Sequence, residues 1–246
     1  MIEEIKNKQM DIPSSLAIIA FCGLIHASFQ LSVSVLTLLS GHILSTSKTQ
    51  ARILRLSTGF LIGAGVMTSL LLSSTFLALL QLFGTKTPPI VWATGCGLLV
   101  GVAISIWLFY FRHEKGTTLW VPRNIATYLT DRIHSTKRGA EAFGLGLSSV
   151  IGEILFIIAP LFIAALTLVQ LPPMWRLAGI GIYTVISLLS LIIVWVLVGS
   201  GHSISQIQKW RESNKYFLQF VAGAGLIVLV FFVFVNEILC NTTGTI

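Results

Sequence analysis

Charged residues are scarce in this chain: Asp, Glu, Lys and Arg form 10% of its 246 residues, whereas soluble domains carry about 25%. So few charges cannot cover a water-facing surface, which excludes an ordinary soluble enzyme, a disordered regulator and a nucleic-acid-binding domain. Cysteine is also rare, and Cys22, Cys96 and Cys240 lack the paired spacing of a disulfide framework or a zinc site. With 54% hydrophobic residues and a mean hydropathy of +0.88, the composition indicates one integral membrane domain, 1–246.

Long apolar runs supply the fold prediction. A transmembrane helix needs roughly 20 mostly apolar residues, and six stretches meet this requirement after a short polar leader, 1–11. The six predicted spans cover about 14–44, 57–83, 89–111, 140–169, 174–200 and 215–239. The leader lacks the cleavage signature of a signal peptide, so the first span is predicted to be retained.

Lys and Arg are distributed unevenly between the predicted loops. Twelve of the sixteen lie in the loops that follow spans 1, 3 and 5, and four lie on the other side. Cytoplasmic loops of membrane proteins carry the excess of Lys and Arg. We therefore predict that these three loops are cytoplasmic and that both termini lie outside.

The longest connection, about 112–139, is a basic cytoplasmic linker. Ile125, Leu129 and Ile133 recur every four residues within it. This spacing predicts a short amphipathic helix on the anionic leaflet. A solvated basic linker is the alternative, and neither implies catalysis.

The two halves of the chain share a pattern of small and polar residues at i, i+3 and i+7, displaced by 123 positions. The matched residues are Gly23, His26 and Gln30 in the first span, and Gly146, Ser149 and Glu153 in the fourth. We predict two three-helix repeats, about 14–111 and 140–239. An odd number of spans in each repeat inverts the second relative to the first, a plan found in transporters that bind substrate at the bilayer centre.

Glu153 is the strongest functional signal because it lies near the middle of the fourth span with no other charge nearby. A central charge costs at least roughly 2.5–3.5 kcal/mol to insert, so it faces a partner, a cavity or water. We predict that Glu153 binds a cation or a proton. The alternative is an interhelical hydrogen bond that only stabilises the bundle.

Polar residues on one side of the first span are predicted to meet Glu153. His26 and Gln30 lie one turn apart there, and Ser149 and Glu153 repeat this spacing in the fourth span. If the two helices face each other, all four side chains converge, and His26 adds a group that titrates near neutral pH. Pro160, within the same span as Glu153, is predicted to kink the helix.

The fourth span, FGLGLSSVIGEIL from Phe143, resembles the corresponding helix of the cytochrome c biogenesis thiol-electron transporters, the CcdA and DsbD membrane domains. In that family the helix has Phe-x-Leu-Gly, two residues, Pro-Cys, and then Ile-Gly-Pro. On this register Pro-Cys falls on Ser149-Val150 and the later proline on Glu153. GLIHASFQL, from Gly23, is similar to the first helix and places the other Pro-Cys near Gln30.

This resemblance implies six helices, inverted repeats and outside termini, which also suit the related LysE-type exporters. Together with the apolar composition, it implies a bacterial cytoplasmic membrane as the location. Both reactive cysteines of the redox family are missing at the matched positions. Thiol–disulfide exchange requires an attacking thiolate and a partner sulfur, so electron transfer by that route is not expected. What the resemblance leaves is a scaffold with a central cavity.

We therefore predict an all-α integral membrane protein that transports a small solute or ion by alternating access at the interface of spans 1 and 4. Glu153, Gln30, His26 and Ser149 are the predicted ligands. No catalytic residue, cofactor or nucleic-acid partner is predicted, a metal ligand stays undetermined, and a homodimer stays open. The alternatives are a non-transporting membrane scaffold and a divergent redox relative that uses Cys22 or Cys96.

Overall fold

The computed structural model describes residues 12–29, 34–37, 39, 50–110, 123–136, 138–200, 209–210 and 213–239. Within these residues the chain is 92% helical and has no strand, which confirms the all-helical class. Nine helices of at least 11 residues occur in the described parts. They are α1 (Ile12–Ser28), α2 (Gln50–Phe83), α3 (Pro89–Ser105), α4 (Arg123–Ser135), α5 (Gly139–Gly152), α6 (Ile154–Gln170), α7 (Pro173–Ser187), α8 (Leu189–Gly199) and α9 (Lys215–Val233). π-Helical segments, Ile106–Tyr110 and Phe234–Leu239, continue α3 and α9.

Proline and glycine set several of these boundaries. α2 ends before Gly84, whose φ of 65° is left-handed and whose N–H donates to the carbonyl of Leu80 at 2.9 Å. α3 and α7 each begin with a proline, Pro89 and Pro173. Proline suits the first turn of a helix because its missing N–H has no intrahelical acceptor there.

Several helices are long and apolar enough to cross a membrane. In the described residues three qualify alone, Ala51–Phe83, Pro89–Leu108 and Phe220–Glu237. Two bent pairs, α5 with α6 and α7 with α8, raise the number to five if each pair forms one span. α1 has 17 residues and is shorter, so the structure supports three to five spans where the sequence predicted six.

α6 occupies the centre of the larger apolar cluster. Eleven of its residues, including Ile163, Leu166 and Val169, are buried, and α1, α2, α3 and α7 all pack against it. A second cluster joins the first half of α2 to α4, α5 and α8. The outer faces of α2, α3 and α9 expose large apolar side chains such as Leu82, Ile90 and Phe231, as expected of helices in contact with lipid.

The closest helix contact joins α2 and α5. A Cβ atom added at Gly63 would overlap the backbone carbonyl of Phe143, and one at Gly146 would overlap the carbonyl of Phe60. A Cβ atom added at Gly59 would lie 2.8 Å from the carbonyl oxygen of Gly139. Glycine is needed here because the neighbour is backbone, which cannot rotate away as a side chain can.

The basic linker contains a helix, α4, but its apolar face has a different partner from the predicted one. Leu129 and Ile133 are both 3% exposed and belong to the second cluster. Protein–protein burial therefore explains the four-residue spacing, and a membrane surface is not needed for these two residues. The side chain of Ile125 lies outside the described residues.

Candidate functional site

The predicted fourth span breaks at Glu153. α5 ends at Gly152, α6 begins at Ile154, and their axes differ by 80°. The backbone carbonyl of Glu153 accepts hydrogen bonds from the N–H groups of Phe156 and Ile157 at 2.9 and 3.2 Å, so it opens the hydrogen-bond ladder of α6. A buried carboxylate thus lies where the chain changes direction.

Pro160 was predicted to be the kink, but the sharp bend lies seven residues earlier. Pro160 is inside α6, which continues on both sides of it. Proline is tolerated within a buried membrane helix when neighbouring helices compensate the lost hydrogen bond, and α6 is packed on several sides. The chain therefore changes direction at Glu153 and not at Pro160.

His26 and Glu153 meet as the sequence predicted. The imidazole Nε2 of His26 lies 3.8 Å from Oε2 of Glu153, and the two residues are 4% and 3% exposed. Nδ1 of His26 lies 3.1 Å from the hydroxyl of Tyr183, which is fully buried. Because one ring nitrogen is engaged by Tyr183, the other is held facing the carboxylate.

These residues border a small cavity, which we call the Glu153 cavity. Its lining residues are His26, Ala27, Phe29, Thr68, Val150, Glu153, Ser187, Leu188, Ser190 and Leu191. Its volume is about 10 Å³, close to the least that one water molecule requires. This volume suffices for one water molecule or one small ion.

Helix ends converge on this cavity from three parts of the chain. α1 ends at Ser28, and α5 and α6 meet at Glu153. α7 and α8 meet at Leu188 with a bend of 51°. Helix interruptions are tolerated at membrane depth where they are buried in protein or line a cavity, and in transporters they surround the substrate site.

Of the other two predicted ligands, Ser149 lies near the cavity without lining it, and Gln30 is not described. Ser149 is buried one turn before Glu153, and its hydroxyl donates to the carbonyl of Gly146 at 2.8 Å. It is not among the described residues that line the Glu153 cavity. Gln30 lies outside the described residues, so its predicted role stays a prediction.

Sequence reasoning missed Tyr183, Thr68, Ser187 and Ser190. Tyr183, Ser187 and Ser190 follow the i, i+4, i+7 spacing of one helix face, and polar residues one turn apart were also the criterion that selected His26 and Gln30 in span 1. Applying it to span 5 finds these three side chains. Thr68 has no such signal, because hydroxyl residues recur throughout α2 and only the fold shows which one reaches the cavity.

A second buried carboxyl lies at the opposite end of α6. Glu237 is 2% exposed and accepts a hydrogen bond from Nε2 of Gln170 at 2.8 Å. Nearby, Nε of Arg176 donates to the carbonyl of Leu171 at 3.0 Å. This carboxyl therefore has a direct structural partner and does not border the Glu153 cavity.

Tyr183→Phe tests whether Tyr183 holds His26. Removing the hydroxyl leaves a buried ring nitrogen without its partner, at a cost of about 2 kcal/mol. We expect the melting temperature of the detergent-purified protein to fall by about 6 °C. Tyr128→Phe is the control, because Tyr128 is exposed. Equal melting temperatures for the Tyr183 variant and the wild type would contradict this role.

The fold and the cavity together define a class of protein. It is all-helical, its apolar helices are able to span a membrane, and a buried carboxyl–imidazole pair, Glu153 and His26, lies where helices are interrupted. No protein-family model, curated protein or solved structure matches the chain. Its function is therefore inferred from its own residues.

Proposed function

We propose that this chain is an integral membrane transporter that moves a small solute or ion by alternating access, with Glu153 as the central binding group. The observation that carries the proposal is the meeting of α1, the α5–α6 bend and the α7–α8 bend at one cavity that contains a buried carboxyl and a histidine. A scaffold whose polar residues only hold the helices together would require neither bend.

Six spans and an inverted repeat are part of this proposal. α1 supplies a short sixth apolar helix beside the three long helices and two bent pairs. α1 ends two residues before Gln30, and α5 ends one residue before Glu153, the residue that matches Gln30 at the offset of 123. The halves differ elsewhere: α2 is continuous, whereas its counterpart is the bent pair α7–α8.

The resemblance to CcdA, DsbD and LysE-type proteins supports a bacterial cytoplasmic membrane, and the excess of Lys and Arg in the loops that follow spans 1, 3 and 5 supports outside termini.

The chemistry of transport would follow from the charge of Glu153. A buried carboxylate is stabilised when a positive charge lies beside it. A cation or a proton on Glu153 neutralises the cavity, and its departure restores the charge. Glu153 also lies at the bend between α5 and α6. Binding of a cation or a proton to its carboxylate therefore changes the electrostatic energy at the point where the chain changes direction.

Two-sided accessibility tests the proposal without a known substrate. We would place a single cysteine at Glu153 or Ser190 in a variant lacking Cys22, Cys96 and Cys240, and label it with charged, membrane-impermeant thiol reagents. The expected result is labelling from each side of the membrane, because alternating access opens one cavity to both. Labelled protein would be quantified by mass spectrometry after each one-sided treatment.

Gly97→Cys is the matched control, because Gly97 lies on α3, faces outward, and has nothing within 4 Å of the position that a Cβ atom would take. It should stay unlabelled by charged reagents if that face contacts lipid. Failure of the cavity positions to react from either side would indicate a dry, locked bundle and would favour the scaffold alternative.

A further inference from the structure

Thr68 is an unexplained polar group at the Glu153 cavity. It lies on α2, is fully buried, and borders the cavity. Its hydroxyl Oγ1 has no hydrogen-bond partner within the part of the chain that the structure describes. A buried hydroxyl without a partner is unfavourable, so a ligand that engages Thr68 would recover that cost.

Two serines present oxygen lone pairs at the same cavity. The hydroxyl of Ser190 donates to the carbonyl of Ala27 at 2.5 Å, and that of Ser187 donates to the carbonyl of Thr184 at 2.9 Å. Each hydroxyl hydrogen is therefore directed to the backbone, and each oxygen keeps lone pairs for another contact. Together with Thr68 and Glu153, the cavity has an oxygen-rich lining.

Charge and size limit what this lining can hold. Glu153 is the single carboxylate among the described lining residues, and His26 is the single basic side chain among them, since none is Lys or Arg. One negative charge balances one positive charge, whereas Ca²⁺ takes six to eight oxygen ligands, often several of them carboxylates. The volume of about 10 Å³ admits one particle of about the size of a water molecule.

The backbone around the cavity also favours a positive ligand. α1, α5 and α7 each end at or beside a lining residue, and the C-terminal end of a helix carries partial negative charge. α6 and α8 begin in the same region, so their positive ends partly offset this field. Interrupted transporter helices use such C-terminal ends and freed carbonyls to coordinate Na⁺.

We propose that the Glu153 cavity binds one small monovalent cation of about the size of Na⁺, with the carboxylate of Glu153 and the hydroxyl of Thr68 as ligands and Ser187 and Ser190 as supporting oxygens. This inference rests on the proposed transport function and narrows its substrate or coupling species. It assigns to Thr68 a binding role that the sequence did not indicate.

The test is cation-dependent thermal stabilisation of the full chain in detergent at constant pH and ionic strength, with NaCl exchanged for KCl or choline chloride. A ligand that binds the folded state raises the melting temperature in a saturable way. We expect NaCl to stabilise the wild type at lower concentrations than KCl, and choline to have no effect. Tracer ²²Na⁺ binding would measure the same site directly.

Thr68→Val removes the hydroxyl and keeps the shape, and we expect it to raise the half-saturating NaCl concentration about tenfold, the effect of one lost ligand contact. Thr68→Ser should keep the wild-type value. Thr94→Val is the matched control, since Thr94 is exposed on α3 and its hydroxyl is bonded within its own helix. Each comparison uses the increase in melting temperature that Na⁺ causes in the same variant, so a change in that variant's stability without Na⁺ does not affect the result.

A wild type that responds equally to all three salts would overturn the inference and leave an ordered water molecule as the partner of Thr68. An unchanged half-saturating concentration in Thr68→Val would overturn the role of Thr68. In either case two-sided labelling can still succeed, with a proton or another species as the cargo. Absence of both labelling and Na⁺ stabilisation would mean that the transport proposal itself is wrong.

Discussion

Glu153→Gln is expected to lower cation flux through the protein on the order of 100-fold, to the level of empty vesicles. The amide keeps the shape of the side chain but cannot carry the charge that a bound cation or proton would neutralise. Losing one partner of a buried charge interaction costs about 3 kcal/mol, which is on the order of 100-fold in binding. Flux would be measured in proteoliposomes with ²²Na⁺ and, in parallel, an internal pH-sensitive dye.

Glu237→Gln is the matched control for this experiment. Both carboxyls are buried and both flank α6, but Glu237 is bonded to Gln170 and lies away from the Glu153 cavity. We expect the control to retain flux and Glu153→Gln to remain folded, because the latter removes a buried charge without changing volume. Full flux in Glu153→Gln, together with a lower melting temperature, would support the scaffold alternative.

Gly63→Leu is expected to have the largest effect on folding. Its side chain would occupy the space of the Phe143 backbone carbonyl, so α2 and α5 would have to separate. Overpacking costs about 3 kcal/mol, and we expect a fall of about 10 °C in melting temperature with loss of the monodisperse peak in size-exclusion chromatography.

Gly101→Leu is the control for this substitution. Gly101 lies on α3, where no atom lies within 4 Å of the position that a Cβ atom would take. The Gly97 and Gly101 pair has the spacing of a helix-packing motif, yet its face makes no close contact within the described chain. Equal melting temperatures for the Gly63 and Gly101 variants would show that the α2–α5 contact is not as rigid as its geometry indicates.

Long apolar runs predicted the helical class and the positions of most apolar helices. The stretches at 89–111 and 215–239 match α3 and α9 with their π-helical extensions. The bends at Glu153 and Leu188 could not be predicted in this way, because apolar residues continue through both. A break within an apolar run depends on tertiary packing, which composition does not report.

The candidate site was predicted in part for a similar reason. His26 and Glu153 are conspicuous because polar groups are costly inside a membrane, and the structure brings them within 3.8 Å. Tyr183 and Thr68 are ordinary residues in apolar helices, and only the packing of α7 against α1 and of α2 against α5 and α6 gives them a role. Ser149 has the right spacing, but its hydroxyl is bonded within α5.

α2 is longer than a membrane span requires. With 34 residues and a rise of about 1.5 Å per residue, it is about 51 Å long, which exceeds the roughly 30 Å hydrocarbon core. As a membrane span, α2 would extend beyond the hydrocarbon even at a tilt of about 40°. Since glycines pack α2 against α5, and α5 ends beside Glu153, we expect a change in the inclination of α2 to shift the end of α5 that lies next to the carboxyl.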